Sequence, residues 1–176
     1  LDYFKIINTS VFKNLNLGID PSLFTSKQIK NFFLKNNKVT IIKENLVDKI
    51  SKIKSKKKSS FYSIDKSIAG ESHHKKVSRV SSFLKRNKYD YLFITAPENV
   101  AWLLNIRGYD SPTSPIPNSN LLLTKEKHVY LIVEINKTKK LLNEKKLKQN
   151  QIVDPRHILD FFDKLKKGKI LIDEKT

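Results

Sequence analysis

Apolar and polar positions follow two different spacings along the chain. Leu15–Asp20 ("LNLGID") is a short apolar run closed by Asp20-Pro21, which predicts a strand and a turn. Ser26 is placed to cap a helix that carries Ile29, Phe32 and Phe33 on one face. "KVTII" (38–42) is β-branched and predicts a second strand. Leu46, Val47, Ile50 and Ile53 then return to helical spacing. Further on, Ser72 precedes a helix with Val77, Val80, Phe83 and Leu84 turned inward. "YDYLFIT" (89–95) is a strand. "NVAWLLN" (99–105) fits either a short helix or a strand edge, because seven residues do not separate the two periods. "NLLLT" and "HVYLIVE", split by "KEK", predict a hairpin. A polar helix over 137–149 carrying Leu141 and Leu142 follows, then a short strand at "QIV". Asp154-Pro155 opens a helix with Ile158, Phe161, Phe162 and Leu165 on one face. "GKILID" (168–173) is the last strand.

These elements group into two stretches. Residues 1–54 hold about half of an α/β domain, and a piece that small buries little surface on its own. Residues 55–69 ("SKKKSSFYSIDKSIA") are charged, serine-rich and without period, which reads as a linker. Residues 70–176 have the length of one compact domain. Their element order predicts an α/β fold, a mixed sheet flanked by helices on both faces.

Composition changes this picture in three ways. The formal net charge of +18 suggests nucleic acid or an anionic surface as a partner. However, the lysines are spread along the whole chain, and only Arg79, Arg86, Arg107 and Arg156 offer the planar fork that grips phosphate oxygens in pairs. Compositional drift explains the charge more simply, so nucleic acid is not the expected partner. With no cysteine there is no disulfide framework and no thiolate chemistry. No apolar run approaches the length of a membrane-spanning helix, and no signal-peptide pattern opens the chain. The absence of any methionine, with Leu1 first, reads as a fragment or a processed piece.

Catalytic constellations are missing. His73 and His74 are adjacent, so a helix sets them roughly 100° apart and makes a shared metal difficult. His128 reads as a strand-end residue, no His-x-x-x-His pair exists, and no carboxylate cluster accompanies any of the four histidines. Asp48, Asp65, Asp90 and Asp110 are scattered, and four glycines cannot build a phosphate loop. Neither catalytic nor metal-ligating residues are assigned. What stands out is "WLLNIRG" (102–108), which joins the only tryptophan to an arginine and a glycine and opens onto a proline-rich loop. The plainer reading makes Trp102, Leu103 and Ile106 core and Gly108 a turn. The functional reading sets Arg107 and Asp110 at an element end, facing a site.

"APENVAWLLNIRGYDSPTSPIPNSNLLLT" resembles the middle domain of the three-domain Xaa-Pro aminopeptidases. The matching positions are Trp102, Leu103, Asn105, Ile106, Arg107, Gly108, Asp110, Pro115 and Ile116. "LGIDP", "IIKENLVDKI" and "IAGESHHKKVSRV" resemble three further family motifs, in family order. The run "IPNSN" departs from the valine and aromatics that often follow the proline step.

The resemblance implies two creatinase N-terminal-like domains: the C-terminal part of a first one (1–54), a linker (55–69) and a second one (70–176). It implies a missing C-terminal catalytic domain with two divalent metals, manganese or zinc, and none of their ligands in this chain. The parent would be a cytoplasmic homodimer that removes an N-terminal residue from peptides with proline at the second position. Arg107 and Asp110 would then lie at the rim of the active site, with Trp102, Asn105, Gly108 and Pro115 as structural motif residues. A free-standing pseudo-peptidase scaffold and a basic nucleic-acid module are the alternatives.

Overall fold

In the computed structural model of the protein, residues 12–42, 44–50 and 60–173 are described. The chain divides into two compact units, residues 1–56 and 57–176.

In the first unit, β1 (Asn16–Ile19) and β2 (Lys38–Ile41) pair in parallel, with Asn16 opposite Lys38 and Ile19 opposite Ile41. Between them, α1 (Ser26–Gln28) continues as a wider turn over Ile29–Phe33. Its cap is Thr25 rather than Ser26. Gln28 N–H donates to Thr25 Oγ1 at 3.2 Å and Thr25 N–H donates back to Gln28 Oε1 at 2.8 Å. This reciprocal capping box satisfies two of the helix's orphan donors at once, which a serine one residue later cannot do. Asp20 caps the turn after β1 by accepting from Ser22 N–H. In α2 (Leu46–Ile50), Leu46, Val47 and Ile50 are all exposed, and Ile53 lies outside the described residues.

The second unit is built on a five-stranded sheet in the order β8-β7-β6-β4-β9. Its strands are β4 (Tyr91–Ile94), β6 (Asn120–Thr124), β7 (Val129–Ile132), β8 (Ile152–Val153) and β9 (Ile170–Leu171). The three central strands are antiparallel, and both edge strands join in parallel, so the sheet is mixed. Side-chain alternation gives it two covered faces. Leu92, Ile94, Leu121, Leu123, Val129 and Leu131 face a core shared with α4 (His73–Arg86) and α5 (Pro97–Leu104). On the other face, Phe93 and Tyr130 meet Phe162 and Phe161 of α7 (Ile158–Asp163), with ring centroids 5.4 and 5.0 Å apart. "NVAWLLN" forms the body of α5 with Asn105 as its C-terminal cap, and the expected hairpin of β6 and β7 forms, with Asn120 opposite Ile132 and Leu123 opposite Val129.

Several expectations need correction. Residues 60–69, read as linker, are folded into this unit. Phe61 is fully buried in the core, Tyr62–Ser63 forms β3, and Lys66–Ala69 forms α3. Two adjacent aromatics, Phe61 and Tyr62, among serines carry no period, which hides the strand. Residues 55–59 lie outside the described residues. Phe83 turns outward and is 43% exposed, whereas Leu84 is buried. The polar helix over 137–149 is shorter than expected: a 3-10 turn (Ile135–Thr138) leads into α6 (Lys139–Asn143), with Leu141 buried.

Candidate functional site

The "WLLNIRG" segment is the C-terminal end of α5 and the strand that follows it. Pro97 starts α5 at a position that needs no N–H donor. Asn105 ends it in the left-handed conformation, φ 52° and ψ 49°. Asparagine tolerates this better than residues with bulkier or branched side chains. β5 (Ile106–Arg107) then pairs antiparallel with β3, setting Arg107 opposite Tyr62 and Ile106 opposite Ser63.

Two cations close the carbonyl end of α5. Lys76 Nζ donates to Trp102 O at 2.9 Å and Arg107 Nη1 to Ala101 O at 3.3 Å. Positive charge at this end complements the partial negative charge of the free carbonyls. Lys76 is only 3% exposed and also donates to Asn105 Oδ1 at 2.7 Å. Burial holds its ammonium below the usual lysine range. Asn105 Nδ2 in turn donates to Glu71 O at 2.8 Å. Glu71 Oε1 accepts from Arg79 Nη1 at 2.8 Å.

Trp102 is not core, contrary to its sequence reading. It is 47% exposed, while its neighbours Leu103 and Ile106 are buried. Its ring lies against cations, 4.6 Å from Lys76 Nζ and 5.7 Å from Arg79 Cζ.

Gly108 and Asp110 hold the loop that follows. A Cβ on Gly108 would stand 2.8 Å from the Phe61 ring and 3.0 Å from Pro117 Cα, so the backbone passes where no side chain fits. Gly108 N–H donates to Pro115 O at 3.2 Å, which gives Pro115 its place in the motif. Asp110 turns its carboxylate inward. It accepts from Lys137 Nζ at 2.9 Å and from Asn118 N–H at 2.8 Å, and the Asp110 and Lys137 side chains are 13% and 16% exposed. Of the two candidate rim residues, Asp110 braces the loop while Arg107 stands at its base.

Lys76, Glu71, Lys137 and Tyr62 escaped the sequence reading. One signal for Lys76 was present: it shares the i, i+4 stripe of Val80 and Leu84, where a lysine is out of place. The other three came from elements whose pairing only the tertiary structure shows.

The histidines do not form a ligand set. His73 and His74 rings lie 3.8 Å apart, closer than their spacing on the helix suggests. Lys146 Nζ sits 2.9 Å from His73 Nδ1. Burial, with help from the Lys146 and His74 charges, lowers the His73 imidazole to about 4. Among the described residues, no three of His, Cys, Asp or Glu gather to hold a metal ion. The residues present therefore do not fit a metal pair, and no helix among them is long and apolar enough to cross a membrane.

Comparison with known proteins accords with this geometry. Residues 52–176 match the Creatinase/Prolidase N-terminal domain family. A probable Xaa-Pro aminopeptidase P of Laccaria bicolor is 29% identical over 132 residues, covering 69% of this chain and 21% of the relative. Xaa-Pro aminopeptidase app-1 of Caenorhabditis elegans is 32% identical over 121 residues, covering 65% of this chain and 20% of the relative. This chain thus spans about a fifth of the length of the curated relatives it matches. In three dimensions it is similar to the X-prolyl aminopeptidase of C. elegans, described as a cytosolic enzyme with a di-nuclear active site. The TM-score is 0.74 at 21% identity, covering 92% of this chain and 27% of that one, which shows the fold. With most of its length matched and its mixed sheet in place, the chain belongs to the creatinase/prolidase N-terminal domain family.

Proposed function

We propose that this chain is the non-catalytic N-terminal portion of an Xaa-Pro aminopeptidase. On this reading, residues 1–54 are the C-terminal part of a first creatinase N-terminal-like domain, and residues 70–176, joined by the folded 60–69 segment, are the second. The catalytic domain supplies the reaction, metal-assisted hydrolysis of the bond before proline, with two divalent ions on its own ligands. This chain shapes the approach to that site and supports dimerisation in the cytoplasm. The observation that carries the reading is Arg107. Its guanidinium is fixed by the carbonyls of Ala101 and Ile106 at the mouth of a loop braced by Asp110.

The test is the full-length enzyme with Arg107→Ala. Reduced kcat/KM toward Xaa-Pro peptides, or a shift from dimer to monomer in ultracentrifugation, is the expected result. Unchanged catalysis, stability and oligomeric state together would remove the reading. The downstream reading frame separates an enzyme from a pseudo-peptidase scaffold: an enzyme continues into two Asp, one His and two Glu ligands.

A further inference from the structure

The β3–β5 ribbon carries a second feature beside the loop. Tyr62 and Arg107 are register partners in an antiparallel pair, so their side chains leave the same face. Tyr109, two residues on, joins them. Its ring stacks on Tyr62 with centroids 5.5 Å apart and planes at 28°, and the two hydroxyls are 3.3 Å apart. Lys140 of α6 places its ammonium 5.5 Å from the Tyr62 centroid. Tyr109 is 68% exposed.

The charge on this face is unbalanced. Arg107 spends one nitrogen, Nη1, on two carbonyls. Among the described residues its Nε and Nη2 have no hydrogen-bond partner and no carboxylate stands within ion-pair distance of it. Lys140 is held only loosely, 3.9 Å from Glu144. Asp110, the nearest acid in sequence, is spent on Lys137 and Asn118. A guanidinium fixed at one nitrogen, with an unused edge presenting two N–H donors, matches the two oxygens of one carboxylate. The stacked tyrosines beside it offer an apolar wall for the residue that carries that carboxylate.

We infer that Arg107, Tyr62, Tyr109 and Lys140 form a binding site for the C-terminal carboxylate of a short peptide. This rests on the peptide-handling role proposed above and names which end of the peptide this chain holds. One guanidinium and one ammonium suit a single carboxylate. The rings favour a peptide terminus over a free inorganic anion.

The test is an NMR titration of the 176-residue chain, read at the Arg107 Nε–H, the Tyr109 ring and the single indole of Trp102. The probes are Ala-Pro-Ala, its C-terminal amide, amidated Ala-Pro-Glu and inorganic phosphate. Saturable shifts with the free acid are expected, with the amide at least about ten-fold weaker, as for loss of a charge-assisted pair. Arg107→Gln should weaken the acid by a similar factor. Because Arg107 also holds the end of α5, Tyr109→Ala is the second variant. This exposed residue should leave the fold intact and weaken binding about three-fold or more. The inference is overturned if the amide binds as well as the acid. It is also overturned if folded Arg107→Gln, or Tyr109→Ala where the first does not fold, binds as wild type does. Equal binding of amidated Ala-Pro-Glu would move the site to acidic side chains, and tighter binding of phosphate would make it a general anion site. Either result overturns the C-terminal assignment. None of these readouts depends on catalysis, so this inference and the enzyme-level reading fail separately.

Discussion

Lys76 Nζ stands 2.7 Å from Asn105 Oδ1, so a nearly buried ammonium on α4 grips the residue that ends α5. The same asparagine reaches Glu71 O, and the same ammonium reaches Trp102 O. One side-chain pair thus ties the start of one core helix to the end of another.

Replacing Asn105 should be costly for two separable reasons. Asn105→Ala leaves Lys76 short of an acceptor and Glu71 O short of a donor, and adds left-handed strain. Together these should cost about 2–4 kcal/mol in urea unfolding. Asn105→Gly keeps the backbone relaxed and should cost about 1 kcal/mol less than alanine. Lys76→Met should also cost less, because it removes the buried charge together with its desolvation penalty. If Lys76→Met proves the worst of the three, the ammonium contributes more than its burial costs, and the desolvation argument for this ordering fails.

The Asp110–Lys137 pair should anchor the proline-rich loop. Both side chains are largely buried, so removing one partner leaves an uncompensated charge. Asp110→Ala should lose about 2–3 kcal/mol and open the 111–118 segment to limited proteolysis. The double variant Asp110→Asn with Lys137→Met should recover part of that loss. Strict additivity in the double-mutant cycle would show that the two residues do not interact.

Gly108 tests the packing of the same segment. Alanine there would drive a methyl to 2.8 Å from the Phe61 ring, and that ring lies in the core with no exposed surface. Gly108→Ala should cost about 1–3 kcal/mol and lower Tm by several degrees. Adding Phe61→Leu should recover part of the gly-to-ala loss. A Gly108→Ala protein as stable as wild type would mean that the strand and ring yield more than a packed core allows.

The legibility of these features follows from how local their causes are. The mixed sheet is readable because β4, β6 and β7 are dense runs of leucine, aromatic and β-branched residues, and only a short turn separates β6 from β7. Ser72 and Asp154 are readable as caps because a cap acts within three residues. β3 is not readable. Its two residues become a strand only because Arg107, 45 positions on by the register, comes to pair with Tyr62. Trp102 misled for the complementary reason. Its size argues for burial, but Lys76 and Arg79, 26 and 23 positions earlier in the chain, cover its ring with cations and leave nearly half of it in water. Asp110 was found by its position in a motif, yet the direction of its carboxylate depends on Lys137, which no local pattern links to it.

His73 should give the second unit an acid sensitivity above the range where carboxylates titrate. Its imidazole falls from an ordinary 6.5 to about 4, chiefly through burial, then through the Lys146 and His74 charges. The unfolded chain therefore binds a proton between about pH 6.5 and 4 that the folded chain refuses. Stability is fully present above 6.5, falls as pH drops through that window, and levels off below about 4. The full shift corresponds to at most about 3–4 kcal/mol, and water at the partly exposed ring reduces it. Asp90 and Asp154, whose carboxyls are held below their usual range by Lys125 and Arg156, add losses only at lower pH. Urea unfolding of wild type should show the slope between pH 6.5 and 4, and His73→Gln should flatten it. Lys146→Gln should keep most of it, because burial is the larger cause. A His73→Gln protein with the wild-type slope would place the titrating group elsewhere.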